Sequence, residues 1–274
     1  MKTVLVTGGT GFVGRHILNA LENHGAQVRA VVRSGRENDL VDYPAVREVV
    51  SSASLFHESQ EWWKKTAQDI DLVIHAAWYA EPGKYLVSSN NIDCLVGTLA
   101  MAKGCVDAGI RRFAGIGTCF EYDLTAGKLS VETPLKPAAL YADAKASTYL
   151  TLSHWLPSVG VEFLWCRLFY LFGEGEDERR FVPYLRAKLA AGEPVNLTSG
   201  YQIRDFLNVR EAGRMIVDNA LGSRQGAVNI CSGVPVTIRE MAESIADEYG
   251  GRSLLNFGAR PDNLIDPPCV VGIP

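Results

Sequence analysis

The chain has 274 residues, 47% hydrophobic and 21% charged, a composition that fits a folded globular protein of one large domain or two unequal ones. Its 27 Lys and Arg against 31 Asp and Glu leave a formal net charge of -4, which excludes a partner held by bulk positive charge, such as a nucleic-acid polymer. An anionic ligand must therefore be met by a local basic cluster.

In chain order, short apolar runs alternate with stretches of helical period. Thr3–Val6 reads as a buried strand, and Phe12–His24 as a helix with Val13, Ile17, Leu18 and Leu21 on its apolar face and Gly25 at its end. Val28–Val32 and Val46–Val50 are the next strands, and a charged segment around Trp62 and Trp63 reads as helical. Leu72–Ile74 is a strand that runs into His75-Ala76-Ala77. Asn91–Ala108 reads as a helix, Phe113–Ile116 as a strand, Ala139–Trp155 as a long helix and Val161–Leu168 as a further strand. This alternation predicts an α/β fold with a doubly wound parallel sheet. Beyond Phe172 the texture changes: a charged run, Glu174 to Arg180, precedes a helix at Phe181–Ala191. Residues 1–172 are thus expected to form the nucleotide-binding domain, and residues 173–274 a smaller α/β subdomain for substrate. Ala227–Ile230 is expected to return a strand to the main sheet.

Thr7-Gly8-Gly9-Thr10-Gly11-Phe12-Val13-Gly14 lies between the first strand and the first helix, the setting a dinucleotide fingerprint requires. Missing β-carbons at Gly8, Gly11 and Gly14 let a pyrophosphate approach the backbone N–H groups of Thr10, Phe12 and Val13 at the helix N-terminus. An acid about 20 positions on would bind the adenosine ribose and favour NAD. Here the second strand ends at Arg33-Ser34-Gly35-Arg36, with Glu37 the first acid. Guanidinium groups grip a 2′-phosphate, so NADP is the expected cofactor, with Arg33, Ser34 and Arg36 at the phosphate and NAD as the alternative.

Tyr141 and Lys145 stand four apart on one helix face. A nearby cation favours phenolate and is expected to lower the tyrosine's pKa toward neutrality, suiting it for proton exchange with a carbonyl or carbinol oxygen. The strand Phe113–Ile116 delivers Gly117-Thr118-Cys119 at its carboxyl end, where Thr118 can donate to the same oxygen. Tyr184-x-x-x-Lys188 repeats the spacing, but it lies beyond the last major strand and is read as structural.

With these residues the chain resembles the extended short-chain dehydrogenase/reductases of the NAD-dependent epimerase/dehydratase family. The resemblance covers nearly the whole chain and rests on Thr7 to Gly14, His75-Ala76-Ala77, Gly117-Thr118, Tyr141-x-x-x-Lys145, Arg204-Asp205-Phe206 and Gly258-Ala259-Arg260-Pro261. It implies a Rossmann-type sheet and a catalytic triad of Thr118, Tyr141 and Lys145. Lys145 would hold a nicotinamide ribose hydroxyl, and His75, Ala76 and Ala77 would flank the cofactor, His75 as a packed strand-end residue rather than a base. It further implies a nucleoside-diphosphate sugar substrate, with Arg204 and Arg260 near its pyrophosphate or ribose, and a homodimer built on the helices Asn91–Ala108 and Ala139–Trp155.

Departures from the family pattern narrow the expected chemistry. The nucleotide-sugar 4,6-dehydratases carry Asp-Glu directly after the catalytic Thr, whereas this chain has Cys119-Phe120, with Glu121 one position late. The epimerase-reductases place a Cys two positions after the catalytic hydroxyl and a His further on; those positions match Phe120 and Arg180 here. Tyr170 falls where many sugar-nucleotide enzymes have a pyrophosphate-binding Asn. The simplest reaction of the triad survives: reduction of the 4-keto group of a nucleotide-activated 4-keto-6-deoxyhexose, with Tyr141 as proton donor. A redox-neutral 4-epimerase and a catalytically silent NADP-binding subunit are the alternatives. Trp78, Cys119, Phe120, Tyr170, Arg179, Arg180, Arg204 and Arg260 are the expected substrate contacts, while Trp155 and Trp165 are read as core.

Six cysteines, Cys94, Cys105, Cys119, Cys166, Cys231 and Cys269, contain no C-x-x-C pair, and the five His have no metal-ligand spacing, so neither a metal nor a disulfide framework is expected. Gly8 and Gly9 follow the first strand too early for a signal peptide, and no run of about 18 apolar residues occurs. A cytoplasmic protein free of the membrane is expected. The chain stops at Ile273-Pro274 without a terminal helix or polar tail, which predicts a longer native C-terminus.

Overall fold

A run as apolar as Val4-Leu5-Val6 can bury both faces of a strand. In the structure, a computed structural model that describes residues 2–263 and 266–274, it lies inside a parallel sheet. The strands in chain order are β1 (Thr3–Thr7), β2 (Gln27–Arg33), β3 (Val46–Ser52), β4 (Leu72–His75), β5 (Arg112–Thr118), β6 (Lys128–Leu129), β7 (Glu162–Leu168), β8 (Tyr170–Phe172), β9 (Val195–Asn196), β10 (Ile203–Asn208), β11 (Gly226–Ile230), β12 (Pro235–Thr237), β13 (Leu255–Asn256) and β14 (Cys269–Gly272). The helices are α1 (Phe12–Asn23), α2 (Gln60–Thr66), α3 (Asn90–Asp107), α4 (Leu140–Ser158), α5 (Phe181–Ala190), α6 (Val209–Leu221) and α7 (Ile238–Asp247).

The main sheet has seven strands in the order β11-β7-β5-β4-β1-β2-β3, all parallel. Its two faces carry separate cores. Val4 and Val6 pack with Ile17, Leu18 and Leu21 of α1 and Ile216 and Val217 of α6, whereas Leu5 packs with Trp63, Met101, Leu152 and Leu156 of α2, α3 and α4. Burying such side chains fully contributes roughly 1.5–3 kcal/mol each before the entropic cost. The chain winds from β1 to β3 in one direction and from β4 to β7 in the other. The order reverses between β1 and β4, so a crevice opens there at the carboxyl ends of the strands, where open α/β sheets bind ligands.

The C-terminal part has a core of its own, with Leu185 and Leu189 of α5 against Ala242 and Ile245 of α7, and also contributes to the main sheet. β11 extends the main sheet beside β7 and α6 packs on α1, while β6, β8, β10, β12 and β14 form a second sheet below the crevice. Asp205 on β10 knits that sheet together. Its buried carboxylate accepts from Ser232 N and Oγ, both at 2.7 Å, from Gly233 N at 2.9 Å and from Gly272 N at 3.1 Å. Among the described residues no helix is long and apolar enough to cross a membrane, and no group of His, Cys, Asp or Glu is arranged to hold a metal ion.

Candidate active site

A cleft of about 740 Å³ opens at the point where the strand order reverses. Its floor is the turn from β1 into α1. Gly8 has φ +75°, and a β-carbon there would lie 2.6 Å from Ala77 N; one on Gly14 would lie 1.9 Å from Gly8 O. Both glycines therefore let three backbone segments meet. Gly11 differs, since its β-carbon would meet only Gly8 O at 3.2 Å, which leaves its outer side open to the cleft. The N-terminus of α1 has no side-chain cap and no acid in its first turn, so its orphan N–H groups and positive dipole end remain free for an anion. A dinucleotide pyrophosphate fits this cradle.

Thr10, Phe12, Val13, Arg33, Arg36, Ala76 and Ala77 line the same cleft. Arg33 is exposed, and its side chain makes no hydrogen bond or ion pair among the described residues. Arg36 is ion-paired with Asp39. Glu37, the nearest acid, accepts a 2.6 Å hydrogen bond from Ser51 Oγ, and this bond together with backbone donors holds its carboxyl below the usual range.

Two expected cofactor contacts do not reach the cleft. Ser34 Oγ is hydrogen-bonded to Ser51 Oγ at 3.0 Å and is turned toward β3. His75 is 2% exposed because strand alternation sends its ring into the core, where Nδ1 meets Thr7 Oγ at 2.7 Å and Nε2 meets Thr98 Oγ at 2.9 Å. Thr98 already donates to Cys94 O, so Nε2 carries the ring proton and Nδ1 accepts from Thr7. Burial, followed by the Lys145 charge, pushes the His75 pKa down to about 3. The ring is a neutral strut between β1 and β4.

The three triad residues converge. Thr118 ends β5, Tyr141 stands in the first turn of α4, and Lys145 lies one turn further along the same face. The Thr118 hydroxyl, which accepts from Phe120 N at 3.3 Å, stands near enough to the Tyr141 phenol to favour its ionised form. Lys145 is 3% exposed; its Nζ donates to Ile116 O at 2.6 Å and lies 3.8 Å from the centre of the Trp78 ring. Here the electrostatics differ from the expectation. Burial, reinforced by Tyr85 and Glu121, raises the Tyr141 pKa rather than lowering it. Burial also pushes Lys145 down to about 7. With Lys145 turned to Ile116 and Trp78, burial keeps Tyr141 in its phenol form.

The opposite wall is aromatic. Phe120 stands edge-on to Tyr170 with centroids 6.2 Å apart, and Tyr85 stands edge-on to Tyr141 at 4.9 Å. Cys119 lines the cleft but is 2% exposed, and burial raises its thiol pKa. Arg180 lies 5.6 Å from the Tyr85 ring centre and is the arginine of this wall. Three other expected contacts lie elsewhere. Arg179 is held in a two-point ion pair with Asp177, both bonds 2.8 Å. Arg204 is 2% exposed beneath Tyr170, bonded to Ile203 O and, at 2.7 Å, to Asp266. Arg260 is exposed outside the cleft, its backbone N–H donating to Leu197 O. Tyr85, unforeseen in the sequence, is fixed by its neighbours: Asn91 Nδ2 donates to Tyr85 O at 2.6 Å, and Tyr141 N donates to Leu86 O at 3.1 Å. Asn91 also accepts from Trp78 Nε1 at 2.9 Å, so one buried amide positions both aromatic residues.

The family model described as the NAD dependent epimerase/dehydratase family matches residues 4–231. Among curated proteins, the dTDP-6-deoxy-L-talose 4-dehydrogenase (NAD(+)) of Aggregatibacter actinomycetemcomitans is 23% identical over 278 residues, covering 98% of each chain. The dTDP-4-dehydro-6-deoxy-D-allose reductase of Streptomyces bikiniensis is 25% identical over 298 residues, covering 100% of this chain and 86% of its own. Among solved structures, the UDP-N-acetylglucosamine 4-epimerase of Methanobrevibacter ruminantium M1, in complex with UDP-N-acetylmuramic acid, superposes with a TM-score of 0.84 at 24% identity, covering 99% of this chain and 89% of that one.

Proposed function

Because the chain belongs to the NAD dependent epimerase/dehydratase family of NAD-dependent enzymes, we propose that it reduces the 4-keto group of a nucleotide-activated 4-keto-6-deoxyhexose, and that it prefers NADPH. One observation carries the reading: Thr118, Tyr141 and Lys145 line one cleft with the β1–α1 turn. Burial holds the Tyr141 pKa above its ordinary value, which suits the phenol to give a proton rather than to take one. The positions directly after Thr118 supply no further acid and base for elimination, being Cys119 and Phe120. Glu121 is fully buried and ion-paired with Arg167. Two relatives named for redox chemistry at C4 of a dTDP-deoxyhexose support the substrate class.

Thr118 and Tyr141 would bind the ketone oxygen, Tyr141 would give up its proton as that oxygen gains charge, and Thr118 would hold the resulting hydroxyl. The nicotinamide, when bound, supplies the hydride. Lys145 would meet the nicotinamide ribose from its place beside Trp78. Arg180 and Tyr85 form the side of the cleft suited to the sugar diphosphate, since a guanidinium meets phosphate through two charge-assisted bonds. Arg33, exposed and unpaired, supports the 2′-phosphate reading. Exposed Ile92 and Val96 on α3 and Leu150 on α4 support a homodimer across these helices, and six unpaired cysteines suit a reducing cytoplasm.

The test is NADPH oxidation, followed by absorbance, with a panel of dTDP-, GDP- and CDP-linked 4-keto-6-deoxyhexoses. Turnover with one of them should fall by about 10²–10⁴ in Tyr141→Phe, the range expected for a lost general acid. Oxidation that survives in Tyr141→Phe would remove this assignment. No oxidation with any sugar, together with NAD retained through purification, would favour a redox-neutral 4-epimerase.

A further inference from the structure

Behind Thr118, β5 runs into a turn whose acid is wholly internal. Glu121 is 0% exposed. Its carboxylate accepts from the Thr118 backbone N–H at 2.8 Å, from Trp165 Nε1 at 3.0 and 3.1 Å, and from Arg167 Nε at 2.7 Å. Arg167 is 1% exposed, lies between the rings of Tyr122 and Tyr149 at 4.5 and 4.4 Å, and donates to Tyr122 OH at 3.0 Å. Gly117 makes room for this approach. A β-carbon there would lie 2.2 Å from Trp165 Nε1 and 2.5 Å from Glu121 Oε1. A buried ion pair is weak evidence for stability, since apolar residues of the same volume often serve as well or better. The position of this pair, with Glu121 three residues after Thr118 and bonded to its backbone N–H, points to the chemistry instead.

We propose that Glu121 is a positioning residue: it clamps the Thr118 backbone N–H and, through Trp165, whose Nε1 it holds and whose ring lies 5.8 Å from Lys145 Nζ, sets a carboxylate behind the wall on which Tyr141 and Lys145 stand.

The groups that face this pair come from several elements. Tyr141 is faced by Tyr85, Glu121, Cys119 and Thr118. Lys145 is faced by Glu121 and Cys94, by neutral His75, and by Trp78. Burial works to discharge Lys145, and Glu121 is the largest opposing influence on it. The same charge acts on Tyr141 in the same sense, against phenolate. One carboxylate thus favours the protonated form of both groups. This deepens the reductase reading, because a ketone must receive its proton from Tyr141, but the charge effect on Lys145 is readable without any substrate.

The experiment is an NMR titration of the cofactor-free protein carrying 13Cε-labelled lysine, with Lys145→Met identifying the Lys145 signal. Wild-type Lys145 should titrate with a midpoint of about 7. Glu121→Gln should lower that midpoint by about one pH unit, a tenfold loss of proton affinity. Because Glu121→Gln leaves the Arg167 charge alone in the core, the double variant Glu121→Gln/Arg167→Met, which removes both charges, is titrated beside it. A midpoint unchanged in a folded variant overturns the inference and leaves Glu121 a structural prop. Where NADPH is consumed, the alkaline limb of the rate should also move to lower pH in the variants, whereas a purely structural defect would depress the rate evenly across pH. If the Lys145 midpoint moves while no keto sugar consumes NADPH even in wild type, the inference on Glu121 stands and the reductase reading falls.

Discussion

The two walls of the cleft are built from different material. On the side proposed for the cofactor the cleft presents mostly backbone: the β1–α1 turn, the uncapped start of α1 and the Ala76–Ala77 segment after β4. On the side proposed for the substrate it presents side chains drawn from separate stretches of chain, Tyr85 before α3, Phe120 after β5, Tyr170 on β8 and Arg180 at the start of α5. A backbone cradle is set by where strands and helices meet, so it is shared by every chain with this fold. Side chains can be exchanged without disturbing that meeting. The cofactor class is accordingly a property of the architecture, and the substrate a property of a few residues placed on it.

The comparison breaks most severely at Gly14. Its added β-carbon would overlap Gly8 O at 1.9 Å, so Gly14→Ala must push the β1–α1 turn out of shape. Overpacking of roughly 1–3 kcal/mol at the cradle corresponds to about a 5- to 150-fold loss of cofactor affinity. Protein-fluorescence titration with NADPH reads it. Gly25→Ala is the control: Gly25 has φ +65° with nothing within 4 Å. It should cost stability, about 1–2 kcal/mol for the left-handed backbone, and leave cofactor affinity alone. Equal affinity losses in both variants would mean that the cradle is not a fixed backbone surface.

The same contrast governs what could be read from sequence. β1, α1 and β2 are legible because strand, turn and helix signals are local; the helix expected at Phe12–His24 spans Phe12–Asn23. The helix α6 went unread although Asn208 caps it. Its Gly213 weakens the helical pattern, yet a β-carbon there would lie 2.8 Å from the His16 backbone, so the residue is explained by the neighbouring α1, not by its own segment. The capping box of Thr237 and Glu240 that starts α7 was a usable local signal. β10, β12 and β14 are short strands that acquire meaning through their pairing. In the site, the triad and the glycines are motif residues and came forward readily. Tyr85 carries no motif and is placed by Asn91 and Leu86. Arg204 and His75 do sit in motifs, but a motif does not say whether a side chain faces the cleft or the core, and both face inward.

A smaller effect tests a charged side chain at the cofactor wall. Arg33→Ala should weaken NADPH binding roughly 10- to 100-fold, the worth of about 1.5–3 kcal/mol for a charged hydrogen-bonded contact, while NADH affinity stays within about twofold. The pair of affinities, measured for wild type and variant, separates the contributions. Wild type binding both cofactors equally would remove the NADPH preference and return the whole wall to backbone recognition.

The mildest expected effect lies behind that wall, at His75. In the unfolded chain its pKa is about 6.5, and in the fold burial and Lys145 push it down to about 3. Between these values the unfolded state binds more protons than the folded one, so stability decreases as pH falls below about 6.5, by up to on the order of 1 kcal/mol per pH unit. His75→Gln can still donate to Thr98 and accept from Thr7, but it has no proton to take up. It should begin slightly less stable at pH 7 and lose less of its melting temperature than wild type between pH 7 and pH 5. Parallel losses would show that His75 is not what makes the fold acid-sensitive. A shallower loss in the variant would place that sensitivity at the strut joining β1 to β4, so that acid would loosen the backbone cradle before it affects the aromatic wall opposite.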